Sequence, residues 1–444
     1  MYLSSTGGDR LKLVESFDQR WVDGELMWFG VESRLLNPYE PTPRGKFLLK
    51  NPASKIETGF NQPCRQELFA ETFRQSINKS NIQMSNVKFA YWVPNVSGGL
   101  VVSKLPQKTS WDFEANKRYA QTAEQVGFEY ALLQTRFIAS YGADNQLEAA
   151  ALGSALAAVT EKINLISAVH PGLWHPAVYA KILSTIDNIS DGRVAVNVVS
   201  GWFKGEFTSF GEPWLEHDER YRRSEEFIEV LRELWTKDEA NYRGDFYQIS
   251  DAPHKPKPKK GGIPIFQGGN SKAARKMAAK VSDWYFMNGN TNSGIKEQID
   301  DVKQLAEKEG REVKFALNGF VIVRDTEEEA IDQLEQIIGH ANEDAVKDFR
   351  DAVQQAGASS KEGEGMWADS SFEDLVQYND GFKTGLIGTA EQVADRVIEL
   401  KQLGVDLILT GFFNYDEELE RFGKEVIPLV HEKEELLKQK GVAA

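Results

Sequence analysis

Polar residues that could do chemistry are concentrated between residues 193 and 221. An apolar run over 194–199 is interrupted by Asn197 and is followed by Glu206, Arg220 and Tyr221. Because a buried strand of a parallel sheet is nearly continuous in apolar residues, an internal Asn needs a hydrogen-bond partner. Polar groups just beyond the carboxyl end of a strand are where α/β enzymes keep their active sites. The stretch predicts a ligand site; the alternative is a strand with a satisfied Asn and a polar loop.

A second candidate site is the tetrapeptide Gly268-Gly269-Asn270-Ser271, where a predicted strand turns into a predicted helix. Glycine lets a ligand approach the backbone closely, and a helix N-terminus presents free N–H groups with partial positive charge. The turn therefore predicts an anion site, most simply for phosphate. An ordinary tight turn is the alternative.

The arginines and histidines near these loops indicate a function less specifically than the two motifs above. Arg136 follows a predicted strand end, whereas Arg220 begins a predicted helix, where a cation needs an anionic partner such as a phosphate or Glu206. A surface salt bridge is the alternative for Arg220. His175 and His217 suit general acid–base catalysis or a structural role. No spacing indicates a Ser-His-Asp triad or paired carboxylates, so no catalytic residue is assigned.

Composition excludes several classes of function. The chain has 444 residues and a formal charge of −15, which disfavours binding to nucleic acid or an anionic membrane. No apolar run reaches the roughly 18–20 residues of a membrane span, and no signal-peptide pattern is present. Cys64 is the single cysteine and the 6 His are scattered, so we expect no disulfide, no metal site and a reducing, cytoplasmic location.

Eight predicted strands alternate with predicted helices after residue 85. This pattern favours a closed (β/α)8 TIM barrel over an open doubly wound sheet. The predicted strands are residues 87–93, 130–134, 163–169, 194–199, 264–267, 284–286, 315–323 and 407–409.

Two segments depart from this alternation. Residues 1–85 are rich in turn formers and predict a partly disordered extension with one short helix at 66–78, leaving residues 86–444 for the barrel. The pattern lapses again at about 342–383, which predicts an insertion that serves as a lid.

Several segments together resemble the bacterial-luciferase-like, flavin-dependent monooxygenases, the family of the alkanesulfonate monooxygenases. The likeness runs from about residue 85 to the C-terminus. The segments that carry it are FAYWVPNVSGGLVVSK, GFEYALLQTRF, VNVVSGW, WLEHDERYRRSEEFI, IFQGG, SDWY, GEGMWA and FEDLVQYNDGFKT.

The resemblance implies a luciferase-like TIM barrel with insertions that binds FMN as FMNH2. A separate NAD(P)H:FMN reductase would supply the reduced flavin, and O2 would be the second substrate. Within the family, the segments are most similar to those of members that oxidise dimethyl sulfone, a small neutral organosulfur compound, to methanesulfinate and formaldehyde. The family likeness also suggests a homo-oligomer, a dimer or tetramer.

The resemblance also implies the residues that bind the flavin. Thr135 and Arg136 would lie beside the isoalloxazine ring, and Asn197 would bond the ring. Glu206, Arg220 and Tyr221 would line the ring and the ribityl–phosphate path. Gly269 and Ser271 would belong to the turn that holds the phosphate. His217 then becomes a structural residue. The complete set of implied flavin-binding residues is Thr135, Arg136, Asn197, Glu206, Arg220, Tyr221, Gly269 and Ser271.

One departure bears on the substrate. Alkanesulfonate monooxygenases place Arg and His on the strand where this chain has Asn318 and Phe320. Loss of these cations suits a neutral sulfone better than an anionic sulfonate. The alternatives left open are an alkanesulfonate or pyrimidine monooxygenase, a non-catalytic flavin-binding barrel, and a flavin-free barrel that holds a sugar phosphate at residues 268–271.

Overall fold

The computed structural model describes four short N-terminal strands and residues 85–357, 367 and 370–439. The N-terminal strands form two antiparallel pairs, Leu3–Ser4 with Lys12–Leu13 and Ser16–Val22 with Glu25–Val31. They belong to one compact unit, Met1–Ala70, and the rest of the chain forms a second, Glu71–Ala444. The helix predicted at 66–78 lies outside the described residues, and the extension over 1–85 stays a prediction.

Eight parallel strands close into a barrel in which each strand pairs with the next along the chain and the last pairs with the first. This confirms the predicted (β/α)8 barrel. The strands are β1 (Lys88–Val93), β2 (Tyr130–Leu133), β3 (Asn164–Val169), β4 (Val194–Val198), β5 (Ile265–Gly268), β6 (Trp284–Met287), β7 (Lys314–Phe320) and β8 (Leu407–Gly411).

Helices follow the strands, as the alternating pattern predicted. Several begin with a side-chain cap; Ser271 caps the helix after β5, and Thr326, Ser371 and Thr389 form capping boxes. The helices are α1 (Phe113–Gln125), α2 (Ala149–Val159), α3 (Pro176–Ile189), α4 (Lys204–Ser209), α5 (His217–Thr236), α6 (Lys272–Val281), α7 (Asn292–Lys308), α8 (Glu327–Gly339), α9 (Glu343–Gly357), α10 (Phe372–Leu375), α11 (Ala390–Leu403), α12 (Tyr415–Arg421) and α13 (Ile427–Gln439).

Smaller elements complete the described barrel unit. A 3₁₀ turn spans Gly381–Thr384, and a π-helical turn, Phe422–Val426, joins α12 to α13. Glu239–Arg243 pairs antiparallel with Gln248–Pro253 in the connection between α5 and β5.

The barrel interior and the layer between strands and helices form two separate cores. Strand side chains alternate, so Phe89 and Tyr91 pack toward the helices while Ala90 points into the barrel. The interior is apolar throughout its described core. Its buried members are Ala90, Leu132, Ile166, Ala195, Phe266, Trp284, Phe286, Ala316, Leu407 and Leu409.

The segment between β7 and β8 holds α8 and the predicted insertion. Helix α9 occupies the first part of the region around 342–383, where the sequence analysis identified no helix. It packs on the rest of the unit through Val346, Phe349 and Val353, spaced as one face of a helix. The many charged residues of α9 obscure this apolar spacing in the sequence. The role of a lid stays a prediction.

Candidate functional site

A pocket lies at the carboxyl ends of the barrel strands, one residue pair beyond the apolar interior. Because strand side chains repeat with period two, the residue two positions after each interior residue faces the same space. These positions carry mostly amides and small or aromatic groups. They are Trp92, Gln134, Ala168, Asn197, Gly268, Asn288 and Asn318, and Leu409 of the interior also lines the pocket.

Loops and the insertion supply the remaining walls. The loop residues are Thr135, Arg136, Val199, Ser200, Gly201 and Trp202; Tyr221 comes from α5, and Phe349, Trp367, Tyr378 and Asn379 come from the insertion. Four of the eight predicted site residues therefore line the pocket. They are Thr135, Arg136, Asn197 and Tyr221.

Asn197 lies on β4 and is 8% exposed. Its side-chain oxygen Oδ1 is buried and has no hydrogen-bond partner among the described residues. A buried amide oxygen without a donor is unfavourable, so a donor from a ligand would stabilise it. The partner that the sequence analysis required for this Asn is therefore absent from the described protein atoms.

Tyr221, Ser271 and Gly269 lie together behind one wall of the pocket. Burial raises the pKa of Tyr221, and its hydrogen bond with the Ser271 side chain opposes that rise. Ser271 Oγ also accepts a 3.3 Å bond from the Ala274 N–H at the start of α6. Gly269 has φ +131°, and a Cβ there would lie 2.6 Å from Tyr221 Oη, so only glycine fits the turn. The structure thus brings the predicted phosphate turn against Tyr221.

Arg136 lies in a cage of aromatic rings. Its guanidinium carbon is 5.6 Å from the Tyr141 ring centroid and 5.7 Å from those of Trp202 and Tyr378. Such distances permit cation–π attraction. Nη1 donates a 2.8 Å hydrogen bond to Ser140 Oγ. Arg136 is the one charged residue that lines the described pocket.

Glu206 does not line the pocket. It connects the segment after β4 to the loop after β2, and both segments contribute to the pocket wall. It lies on α4 with no exposed surface, and its Oε1 accepts hydrogen bonds from the N–H groups of Phe137 at 2.5 Å and Ile138 at 3.0 Å. Its Oε2 is 3.7 Å from His170 Nε2. Burial lowers the pKa of His170, and the neighbouring Glu206 opposes this effect. Glu206 thus positions the loop that carries Arg136.

Arg220 also lies outside the pocket lining. It donates a hydrogen bond to the Gly201 carbonyl, and its guanidinium stands 4.1 Å from the Trp214 ring centroid. Burial lowers its pKa. Arg220 therefore supports the backbone of the loop after β4. In that loop Gly201 and Trp202 line the pocket, whereas Arg220 itself does not.

Neither histidine that the sequence suggested for acid–base chemistry lines the pocket. His175 caps α3, because its Nδ1 accepts a 3.2 Å hydrogen bond from the Ala177 N–H. His217 Nδ1 lies 2.9 Å from Asp218 Oδ1, and the His217 ring packs against Tyr221 at 5.0 Å. Both have contacts that fit structural roles.

A network of hydrogen bonds crosses the pocket, and it was not predicted from the sequence. Trp92 Nε1 donates a 2.6 Å bond to Asn318 Oδ1, and Asn318 Nδ2 donates a 2.9 Å bond to the Asn379 carbonyl. These hydrogen bonds link β1, β7 and the insertion. Period two counted from Ala90 and Ala316 would have placed Trp92 and Asn318 in the pocket.

Among the described residues, no group of three or more His, Cys, Asp or Glu is arranged to hold a metal ion. Within the same part of the chain, no helix has the length and apolar character needed to cross a membrane.

Comparison with known proteins identifies relatives along the barrel unit. The chain is 60% identical to the FMNH2-dependent dimethylsulfone monooxygenase of Pseudomonas putida over 350 residues, 79% of this chain and 96% of the relative. It is 31% identical to the pyrimidine monooxygenase RutA of Agrobacterium fabrum, over 78% of this chain and 97% of the relative.

Solved structures share the fold at low sequence identity. DmoA from Hyphomicrobium sulfonivorans matches with a TM-score of 0.66 and 19% identity, over 80% of this chain and 89% of that one. Long-chain alkane monooxygenase LadA matches with a TM-score of 0.68 and 21% identity, over 81% of this chain and 92% of that one. The family model for luciferase-like monooxygenases matches residues 87–407, and the chain belongs to that family.

Proposed function

We propose that this protein is an FMNH2-dependent monooxygenase that oxidises dimethyl sulfone. The observation that carries the proposal is the 60% identity to a dimethylsulfone monooxygenase across 96% of that relative. The balanced reaction consumes dimethyl sulfone, O2 and reduced flavin. It yields methanesulfinate with a proton, formaldehyde, water and oxidised flavin.

The residues present fit a flavin cofactor. The unpartnered Asn197 Oδ1 suits a ring N–H donor, which flavins carry. The Tyr221 and Ser271 hydroxyls and the close backbone at Gly269 suit the ribityl phosphate, beside the N-terminus of α6. Reduced FMN, when bound, would supply the two electrons that activate O2. Thr135 and Arg136 remain proposed neighbours of the ring.

Glu206 and Arg220 would serve the cofactor indirectly. Glu206 holds the N–H groups of Phe137 and Ile138, and Arg220 holds the Gly201 carbonyl. Both contacts keep pocket-lining loops in place. We therefore propose that these two predicted cofactor residues act as positioning residues.

Aromatic side chains would keep water from the reacting groups. Trp92, Trp202, Phe286 and Trp367 all line the pocket, and Trp202 contacts the rings of Phe349 and Trp367. A water-poor site protects reactive species formed from O2 and strengthens each polar contact. This is the role we propose for the insertion between β7 and β8.

A neutral substrate suits the amides of the pocket. Asn318 replaces the cation of alkanesulfonate monooxygenases and is committed to Trp92 and Asn379. No carboxylate lines the described pocket. A separate NAD(P)H:FMN reductase as flavin supplier, assembly as a homo-oligomer and a cytoplasmic location stay predictions.

The test is turnover. Protein supplied with FMN, an FMN reductase, NADH and dimethyl sulfone should release formaldehyde and methanesulfinate in equal amounts. The same mixture with methanesulfonate or uracil is the matched comparison. Turnover of either compound in place of dimethyl sulfone would refute the substrate. Flavin binding without any O2-dependent product would instead favour a non-catalytic barrel.

A further inference from the structure

The pocket contains one buried cation whose described partners are all neutral. Arg136 is 5% exposed, and its guanidinium donates a 2.8 Å hydrogen bond to Ser140 Oγ and lies 5.7 Å from the Tyr378 ring centroid. Tyr378 in turn donates a 3.1 Å bond to the Tyr141 carbonyl. No Asp or Glu among the described residues lines the pocket beside this guanidinium. A desolvated charge with neutral partners is costly unless a ligand compensates it.

The arrangement leaves room for a ligand with paired oxygens. A guanidinium has five N–H donors in a planar fork, and the hydrogen bond described for Arg136 goes to a single hydroxyl oxygen, Ser140 Oγ. The rings of Tyr141, Trp202 and Tyr378 surround it. They provide cation–π contact but no negative charge. Paired oxygens on one atom would match the fork.

We infer that Arg136 binds the sulfonyl oxygens of the substrate and holds the sulfinate that leaves. This inference rests on the proposed function, because it takes the leaving group from that reaction. One oxygen atom from O2 enters a methyl C–H bond and gives a hydroxymethyl sulfone. The other oxygen atom becomes water, with the two electrons and two hydrogens that reduced flavin would supply. Loss of its hydroxyl proton forms the C=O bond of formaldehyde, and the C–S electron pair passes to sulfur.

The charge that develops in this step is where a fixed cation is useful. The sulfone oxygens carry only partial charge, whereas the sulfinate carries a full negative charge on the same two oxygens. A preorganised cation therefore gains more from the product-like state than from the substrate. Arg136 therefore contacts the same two oxygens throughout the step and binds them more strongly as the sulfinate charge develops.

The experiment is a binding titration with sodium methanesulfinate, which needs no turnover. Native protein, Arg136→Met and Arg136→Lys are compared, with Arg118→Met as the control because Arg118 is exposed and paired with Asp416. We expect methanesulfinate to bind about tenfold or more weakly to Arg136→Met, with Arg136→Lys in between and the control unchanged. The affinity for reduced FMN, measured anaerobically, should change less than about threefold.

Two results would overturn the inference. One is unchanged methanesulfinate affinity in Arg136→Met, provided that its thermal unfolding shows a folded protein; Arg136→Lys supplies the same comparison if the Met variant does not fold. The other is an equal loss of FMN and methanesulfinate affinity, which would assign Arg136 to the cofactor alone. If native protein binds methanesulfinate through Arg136 but releases no formaldehyde from dimethyl sulfone, the proposed function fails and the anion site stands.

Discussion

The indole N–H of Trp92 donates a 2.6 Å hydrogen bond to the side-chain oxygen of Asn318, across the mouth of the barrel from β1 to β7. The bond fixes the Asn318 amide so that its N–H reaches the Asn379 carbonyl in the insertion. The contact between the barrel strands and the insertion therefore depends on the orientation of the Asn318 amide.

Trp92→Phe keeps an aromatic ring and removes the donor. We expect a loss of about 1–3 kcal/mol in the free energy of unfolding, because Asn318 Oδ1 is left buried without its partner. Urea unfolding measures it. Trp235→Phe is the matched control, since the Trp235 N–H is buried with no partner among the described residues. Equal losses in both variants would show that ring volume, and not the hydrogen bond, is responsible.

Asn197→Ala should weaken reduced-FMN binding by roughly tenfold, because the variant lacks the buried oxygen that awaits a donor. Anaerobic titration followed by flavin absorbance measures the affinity. Ser167→Ala is the control, because Ser167 lies on β3 and hydrogen-bonds Tyr179 on the helix side. Unchanged affinity in Asn197→Ala would contradict the placement of the flavin ring.

Glu206→Ala should lower stability by roughly 1–3 kcal/mol for each N–H that it leaves without an acceptor, at Phe137 and Ile138. Methanesulfinate affinity should fall with it, since the loop carries Arg136. Glu206→Gln retains an acceptor oxygen and should recover most of the stability. A Gln variant as unstable as the Ala variant would mean that the negative charge matters more than the two hydrogen bonds.

Gly269→Ala should destabilise the protein by about 1–3 kcal/mol and weaken FMN binding, because φ is strained and the new Cβ would lie 2.6 Å from Tyr221 Oη. Gly262→Ala is the control, since nothing lies within 4 Å of a Cβ there. Thermal unfolding and FMN titration compare the two. A tolerated Gly269→Ala would argue against the close packing of this turn.

His254 should make the protein sensitive to acid. Burial, with help from Lys181 and Lys257, lowers its pKa to about 4, and its Nε2 lies 2.8 Å from Ser184 Oγ. In the unfolded chain a His titrates near about 6.5, so the unfolded state binds more protons as pH falls from there toward 4. Stability from this group is full above about 6.5 and declines below it.

Urea unfolding at pH 7 and pH 5 tests this, with native protein and His254→Gln. The native protein should lose more stability between the two pH values than the variant does. The same loss in both would assign the acid sensitivity to other groups, such as the buried His170.

Local patterns were sufficient to predict the barrel and part of the site. The eight strands are short apolar runs with clear turn signals, and Asn197 is conspicuous within one of them. Gly269 and Ser271 carry the ordinary chemistry of a strand-to-helix turn. These features depend on neighbours in sequence, so they could be predicted from the residues alone.

The contacts that complete the pocket depend on distant segments. Trp92 and Asn318 meet because β8 is the single strand between β1 and β7. The cage around Arg136 draws Trp202 and Tyr378 from widely separated loops. Glu206 was predicted along the flavin path, but burial of its carboxylate against two backbone N–H groups depends on how α4 packs.

The pairing of β8 with β1 has a consequence for how the protein is made. Leu407 pairs with Lys88, and Glu434 on α13 accepts a hydrogen bond from the Val87 N–H. The first strand therefore keeps an open edge until the ribosome has released more than three hundred further residues. Such non-local pairing slows folding and leaves strand edges available for aggregation. We expect yield on overexpression to depend on temperature and on chaperones.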